Sequence, residues 1–228
     1  MAAARPILAS RRAAQRRERE REIVSATRLL FDERGLQDAP IEEIARAVGI
    51  NKALIYRHFS SKEELFVLTI TSYLADLAGR LAEIPEGLEP TAELEEGWRI
   101  YTGFCLEHPA FPDCGLSLMR RPVSELREAI SDAVWIRLGQ GMAACLDRLA
   151  RILARGAAEG VFTVSDPDFT ANHLYAQTLG TMHLARVGVG VRMGAAGFPE
   201  PFPIEPARVQ ETCIADVLAS VGVRPQMS

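Results

Sequence analysis

Residues 49–65 read GINKALIYRHFSSKEEL, and both lysines of the chain, Lys52 and Lys62, lie inside them, although Lys and Arg together number 26. The glycine and the asparagine frame a turn. Gly49 closes one short predicted helix, and Asn51, a residue that caps helix N-termini well, opens another about three residues on. Two helices joined by so short a Gly-containing turn form a helix-turn-helix. Working outward, Pro40 sets up the first of the pair, with Ile41, Ile44, Ala45 and Val48 on its inner face. Further upstream, Ile23, Ala26, Thr27, Leu30 and Phe31 recur at the spacing of one buried helical face, and Gly35 stops that helix. Downstream, the Ser61 to Glu64 spacing is that of a capping box and starts the next helix.

Helical geometry sorts the quoted stretch by direction. At about 100° per residue, with Ile55 set inward, Phe59 falls on the same buried side, while Ala53, Leu54 and Arg57 fall on the opposite one. Lys52, Tyr56 and His58 flank that face, and Lys62 stands in the first turn of the following helix. A small residue, an aliphatic one and an arginine can enter a DNA major groove, where methyl contact to thymine and arginine contact to guanine are available. The flanking residues then meet the sugar-phosphate walls.

Charge directs a polyanion to the same end of the chain. The net charge is −4, yet residues 1–64 carry 13 basic and 10 acidic side chains, whereas residues 65–228 carry 13 and 20. Seven of the arginines lie in residues 1–21, which read as a basic arm over residues 1–15. With 48% apolar and 25% charged residues, the 228-residue chain has the composition of a globular protein with one or two domains. No stretch is expected to reach the roughly 18 apolar residues of a membrane span, no signal segment is legible, and a cytoplasmic location is expected. Cys105, Cys114, Cys145 and Cys213 are irregularly spaced, as reduced thiols are.

The stretch IEEIARAVGINKALIYRHFSSKEEL resembles the helix-turn-helix of the TetR family of bacterial transcriptional regulators. Ile44, Ala45, Gly49, Ile50, Ile55, Tyr56, His58, Phe59, Lys62 and Leu65 match that family's pattern. The resemblance implies DNA contacts by Lys52, Ala53, Leu54, Tyr56, Arg57, His58 and Lys62, with the two lysines held at the backbone, one at each end of the recognition helix. Two departures stand out. Ala39 and Pro40 replace a capping, phosphate-touching threonine, leaving Asp38 to cap, and Ala53 and Leu54 replace the small polar residues that often precede the Ile-Tyr pair.

The expected fold is therefore all-α, with a helix-turn-helix DNA-binding domain over residues 16–64 and a helical ligand-binding and dimerisation domain over 65–228. A long helix to about Ile84, a helix over about Thr91–His108, a short element through Met119, one long helical region from Ser124 to Gly160, a helix from about Asp168 to Val187 and a last helix over Pro206–Val221 fill the second domain. The glycines from Gly188 to Gly197 and the run FPEPFPIEP between the last two helices read as a linker. Trp98, Tyr101, Cys105, Met119, Trp135, Leu138, Met142, Gln177 and Thr178 are candidates to line a small-molecule cavity, mostly apolar with a few polar groups. No cofactor, metal site or assembled catalytic triad is legible, so an enzyme is not expected. By the resemblance, partners are a palindromic double-stranded operator, a small, largely apolar effector that releases a repressor from it, and a second copy of the chain. That second copy is expected at the helix Asp168–Val187 and the last helix, through Val209, Ile214, Val217 and Leu218. The competing reading is an all-α enzyme or small-molecule-binding protein whose basic N-terminal region is incidental, and a DNA shift assay separates the two.

Overall fold

A computed structural model of the chain describes residues 4–35, 40–195 and 197–223. Asp38, expected to cap the second helix, lies outside the described residues. Among the described residues, ten helices and one two-stranded sheet appear in the order α1 (Ala4–Arg34), α2 (Ile41–Val48), α3 (Lys52–His58), α4 (Lys62–Ala82), α5 (Pro90–Glu107), α6 (Ala110–Met119), α7 (Val123–Ala129), α8 (Asp132–Ala158), α9 (Pro167–Val187), β1 (Val189–Met193), β2 (Pro199–Pro203) and α10 (Pro206–Ser220). The all-α expectation holds, with a small hairpin added. Two compact units divide these elements, and the division does not follow chain order: one takes the chain through Tyr73 together with Arg120–Leu138, the other Leu74–Met119 together with Gly139 onward.

In the first unit α1, α2, α3 and the start of α4 share a core of Ile23, Phe31, Ile44, Ile55, Phe59 and Ile70, all at most 5% exposed. Gly49 takes φ +71°, and its backbone N–H reaches back to the end of α2, a turn that a side chain would strain. Asn51 caps α3 as expected, its side chain accepting from the Leu54 N–H at 2.8 Å. The segment from α7 into α8 belongs to this unit, with Leu126, Ile130 and Val134 buried. One continuous helix was expected over Ser124–Gly160; the chain instead breaks at Ile130, which is extended at φ −132°, ψ 158°. The break has a cause at hand. Ser61 Oγ donates to the Ala129 carbonyl (2.8 Å), and Ser131 Oγ donates to Glu64 Oε1 (3.0 Å), so polar groups at the head of α4 take up those of the interrupted turn.

In the second unit α5 is the central helix, with Leu94, Trp98, Phe104 and Cys105 buried, and α10 and α6 lie near α9 and α5. Gly115 on α6 permits a close approach to α9, since a Cβ there would fall 2.8 Å from a methyl of Leu179. Two expectations are corrected here. The region read as a linker holds the β1–β2 hairpin, hidden in the sequence because its glycines and alternate prolines resemble a loop. Val209, Ile214 and Val217, expected to face a second copy, are buried within the chain at 5%, 9% and 2% exposure, leaving Thr212, Ala215 and Ala219 outward on α10. The expectation of no membrane-length apolar stretch is also amended: α4 meets the length and hydropathy of a span. Its Leu65, Val67, Ile70, Tyr73, Leu74 and Leu77 are buried in the folded chain, the ordinary position of a core helix.

Candidate nucleic-acid interface and effector cavity

The outward face of α3 carries Lys52, Ala53, Tyr56 and Arg57 as exposed residues, with Leu54 half-buried beside them. Lys62 is exposed at the first position of α4. The helix is two turns long and is anchored beneath by Ile55 and Phe59, each 1% exposed, so these side chains ride on a fixed base. Tyr56 keeps 45% of its surface in solvent, which is unusual for a ring and fits a contact surface. His58 is turned the other way. Its side chain is 13% exposed, with Nδ1 3.7 Å from Glu20 Oε1 on α1, so the fold brings the expected DNA-facing residues together without it.

An acidic residue on this face is not visible in the sequence reading. Glu42 on α2 accepts from Lys52 Nζ at 2.6 Å. Its carboxyl is held below the usual range first by that bond, with smaller help from the charges of Lys52 and Lys62. Lys52 is correspondingly raised by Glu42. Both lysines of the chain thus act on one carboxylate, which holds Lys52 in place where a phosphate would otherwise draw it. The signal that could have found it is the acidic pair Glu42–Glu43 in the first turn of α2, a position favoured by the helix dipole and so easily passed over.

Behind this face Glu64 ties the first unit together. It is 9% exposed, and its carboxylate accepts from the Ser60 N–H (2.7 Å), the Ser60 hydroxyl and the Ser131 hydroxyl (3.0 Å), while its own N–H donates to Ser61 Oγ (3.0 Å). Burial pushes this carboxyl up, but those hydrogen bonds and the charge of Arg16 outweigh it and leave it below the ordinary range. The Arg121 guanidinium stands 5.7 Å over the Phe66 ring in the same region.

The second unit holds a partly open cavity of about 70 Å³. One wall is aliphatic, with Leu74, Leu77 and Leu81 from α4 and Leu146, Leu149 and Ile152 from α8. The other is aromatic. Trp98, Tyr101, Phe111 and Tyr175 line it, Trp98 meeting Tyr101 edge-on at 5.7 Å and Tyr101 meeting Phe111 at 6.4 Å. Burial drives the Tyr101 phenol well above its usual pKa, the Tyr175 phenol up to about 12 and the Cys145 thiol up to about 11. All three are therefore neutral near pH 7. Arg148 is the charged residue in the lining, and its guanidinium is engaged by Glu93 (3.0 Å) and the Ile84 carbonyl (3.2 Å).

Of the residues expected at a cavity, Trp98, Tyr101 and Met142 line this one. Thr178 stands just behind it, its hydroxyl accepting from the Trp98 indole N–H at 3.1 Å. Cys105 is buried one turn further along α5 from Tyr101. Met119 is 55% exposed and Gln177 is exposed, so neither is in the lining. Trp135 and Leu138 belong to the first unit. The contributions of Leu74, Leu77 and Leu81 were missed because helical spacing marks them as core without telling which core positions border a void.

Comparison with known proteins gives the first unit a relationship. Residues 23–68 match the sequence model of "Bacterial regulatory proteins, tetR family". The HTH-type transcriptional repressor KstR2 of Rhodococcus jostii (strain RHA1) is 38% identical over 78 residues, 34% of this chain and 38% of that protein. HbdR, an HTH-type transcriptional regulator of Aromatoleum sp. (strain CIB), is 33% identical over 76 residues, 33% of each chain. The match thus spans only about a third of the length of these relatives. Among solved structures, RolR in complex with resorcinol superimposes with a TM-score of 0.64 at 18% identity, over 92% of this chain and 91% of that one. A TetR transcription regulator from Haloarcula marismortui does so with 0.64 at 19%, over 91% and 98%. At these identities the likeness is one of fold. Residues 23–68 thus carry the sequence pattern of the TetR family's regulatory proteins, and over nine-tenths of its length the chain resembles the solved structures in fold alone.

Proposed function

We propose that the chain is a sequence-specific DNA-binding transcriptional regulator, acting as a repressor that a small, largely apolar or aromatic effector releases from its operator. The observation that carries the DNA half is the outward face of α3. A rigidly anchored two-turn helix presents Ala53, Leu54 and Arg57 to bases, with Lys52, Tyr56 and Lys62 at the phosphate walls. The cavity supports the effector half, because its lining is apolar and aromatic and its hydroxyl and thiol groups are neutral. RolR, whose solved complex holds resorcinol, shares this fold and binds an aromatic molecule. The reading extends to a homodimer, since one small helix-turn-helix contacts too few base pairs for tight specific binding. On α9 the residues Phe169, His173, Gly180, Leu184 and Val187 form an exposed stripe at helical spacing, and Gly180 has open space above it. With the outward small residues of α10, that stripe offers a self-complementary helical surface.

The effector can change DNA affinity only by favouring one arrangement of the chain over another. Two helices that line the cavity, α4 and α8, continue into the DNA-facing unit, where Glu64 and Ser131 join them. An effector seated against Leu74 and Leu77 on one helix and Leu146 and Leu149 on the other therefore acts on both at once. The test is operator binding followed by fluorescence anisotropy, on DNA from the chain's own promoter region. The Tyr56→Ala, Lys62→Ala double variant should lose most affinity for every sequence, with a shallower salt dependence. Unchanged binding by a folded double variant would sink the DNA assignment.

A further inference from the structure

The two edges of the β1–β2 hairpin are not alike. Its ladder keeps one register, with Val189 opposite Pro203, Val191 opposite Pro201 and Met193 opposite Pro199. Both ends are pinned by backbone bonds, the Ile204 N–H donating to the Gly188 carbonyl and the Gly194 N–H to the Phe198 carbonyl, each at 2.9 Å. Hydrogen-bonded and non-hydrogen-bonded pairs alternate in an antiparallel ladder, so the residues that bond inward are Gly190, Arg192, Glu200 and Phe202. The N–H and C=O groups of Val189, Val191 and Met193 point away from β2. No backbone bond from another described residue reaches them. On β2 the corresponding outward positions are Pro199, Pro201 and Pro203, none of which has an N–H. One edge thus carries three prolines, the common guard against strand addition, while the other carries three bare amide donors with their carbonyls.

The faces differ too. Phe202 covers one, its ring so close to Gly190 that an added Cβ would fall 2.4 Å from it, and Arg192 lies 5.9 Å over the same ring. On the other face Val191 and Met193 are 72% and 71% exposed, and the three prolines opposite are exposed as well. A two-stranded hairpin left this open is marginal in water.

We propose that the free edge of β1 pairs with β1 of a second copy of the chain, antiparallel about a two-fold axis at Val191, giving a four-stranded sheet in the order β2, β1, β1, β2. The inference rests on the homodimer reading above and adds a contact that its helices do not supply. Antiparallel pairing of one strand with itself has the two-fold symmetry that a closed dimer requires. Charge selects the register. Centred on Val191, Arg192 stands opposite Gly190 of the second copy and keeps its own Glu200, at 4.0 Å, as counter-ion. Sliding the pair so that it centres on Arg192 would set two guanidinium groups face to face. Sliding it the other way would set Met193 against Val187, which is already in α9. The free edge also continues the exposed stripe of α9, whose Leu184 and Val187 lead directly into Val189.

The test uses the full chain. Sedimentation establishes the dimer, and amide exchange by NMR reads the N–H groups of Val189, Val191 and Met193, which the hairpin itself leaves unbonded. Pairing should slow all three by roughly 100-fold or more against unstructured peptide rates. Val191→Pro gives β1 the guard that β2 already has, without touching a hairpin hydrogen bond. In that variant Val189 and Met193 should lose their protection while the helical content stays. A nitroxide on Val191→Cys should show strong dipolar broadening in the dimer, and one on Met193→Cys much less, because the Met193 residues lie four residues apart along the paired strands. A dimer whose three amides exchange freely overturns the strand pairing alone. A monomer at micromolar concentration overturns it together with the dimer reading.

Discussion

The face of α3 and the cavity of the second unit are built on opposite plans. On α3 the residues proposed to meet DNA lie within one two-turn stretch, are mostly exposed and include the charged Lys52 and Arg57, and two buried side chains, Ile55 and Phe59, anchor them. Around the cavity the lining residues come from α4, α5, α6, α8 and α9, are buried or half-buried and, Arg148 apart, uncharged, and each is held by its neighbours. A site of the first kind changes residue by residue, because each side chain reaches water independently. A site of the second kind changes as a volume, so its specificity belongs to the set of residues and to none of them alone.

The sharpest attack on that contrast fills the volume. Met142→Trp places a larger side chain in the cavity from a half-buried position, and effector affinity should fall by about 100-fold or more while operator affinity stays within about twofold. Calorimetry on both ligands reads the two numbers, and an effector that still binds normally locates its site elsewhere. On the α3 side, Arg57→Ala should cost about 1–3 kcal/mol of operator affinity and relax specificity at one base position, with effector binding untouched. A uniform loss across all sequences would move Arg57 from base reader to phosphate contact.

Smaller effects examine what supports the α3 face. Glu64→Gln removes a carboxylate whose pKa is lower folded than unfolded. Its stabilisation is complete above the ordinary glutamate value, near 4.5, and disappears as the pH falls through the lower folded value. The wild-type chain should therefore lose more stability than the variant as the pH falls below about 5, and at pH 7 the variant should be about 1–2 kcal/mol less stable by urea unfolding. Equal pH profiles would refute the depressed carboxyl. The smallest effect is a gain. Glu42→Gln frees Lys52 from its carboxylate, so affinity for any DNA should rise a few-fold and the salt dependence should steepen by up to about one unit. Weaker binding in that variant would show that Glu42 positions Lys52 for DNA and does not compete for it.

The same contrast explains what could be read from the sequence. The helix-turn-helix was legible down to its cap, because Gly49, Asn51, Ile55 and Phe59 each have a local physical reason for their place. The inward turn of His58 was not, since it depends on Glu20, far away in the chain and close in space. Trp98, Tyr101 and Met142 were found because large apolar side chains on α5 and α8 stand out. Leu74, Leu77 and Leu81 were missed because a leucine beside a void and a leucine beside another leucine look the same in sequence. The break at Ile130 and the hairpin were illegible for a related reason: the Ser61 hydroxyl and the Glu64 carboxylate, sixty-odd residues upstream, cause one, and the phase of alternate prolines encodes the other.

The interleaved make-up of the first unit bears on how such a protein can be recombined. Its two parts are separated in the gene by the whole of α5 and α6, so neither a crossover nor a cloning junction at residues 73 and 74 transplants it intact. A chimaera that joined the first 73 residues to a foreign sensor would strand Leu126, Ile130 and Val134 and leave Glu64 without Ser131. On the proposed function, new effector specificities are then easier to reach by substitution inside the existing cavity than by swapping domains, and lineages carrying this interleaved unit should diversify in the same way.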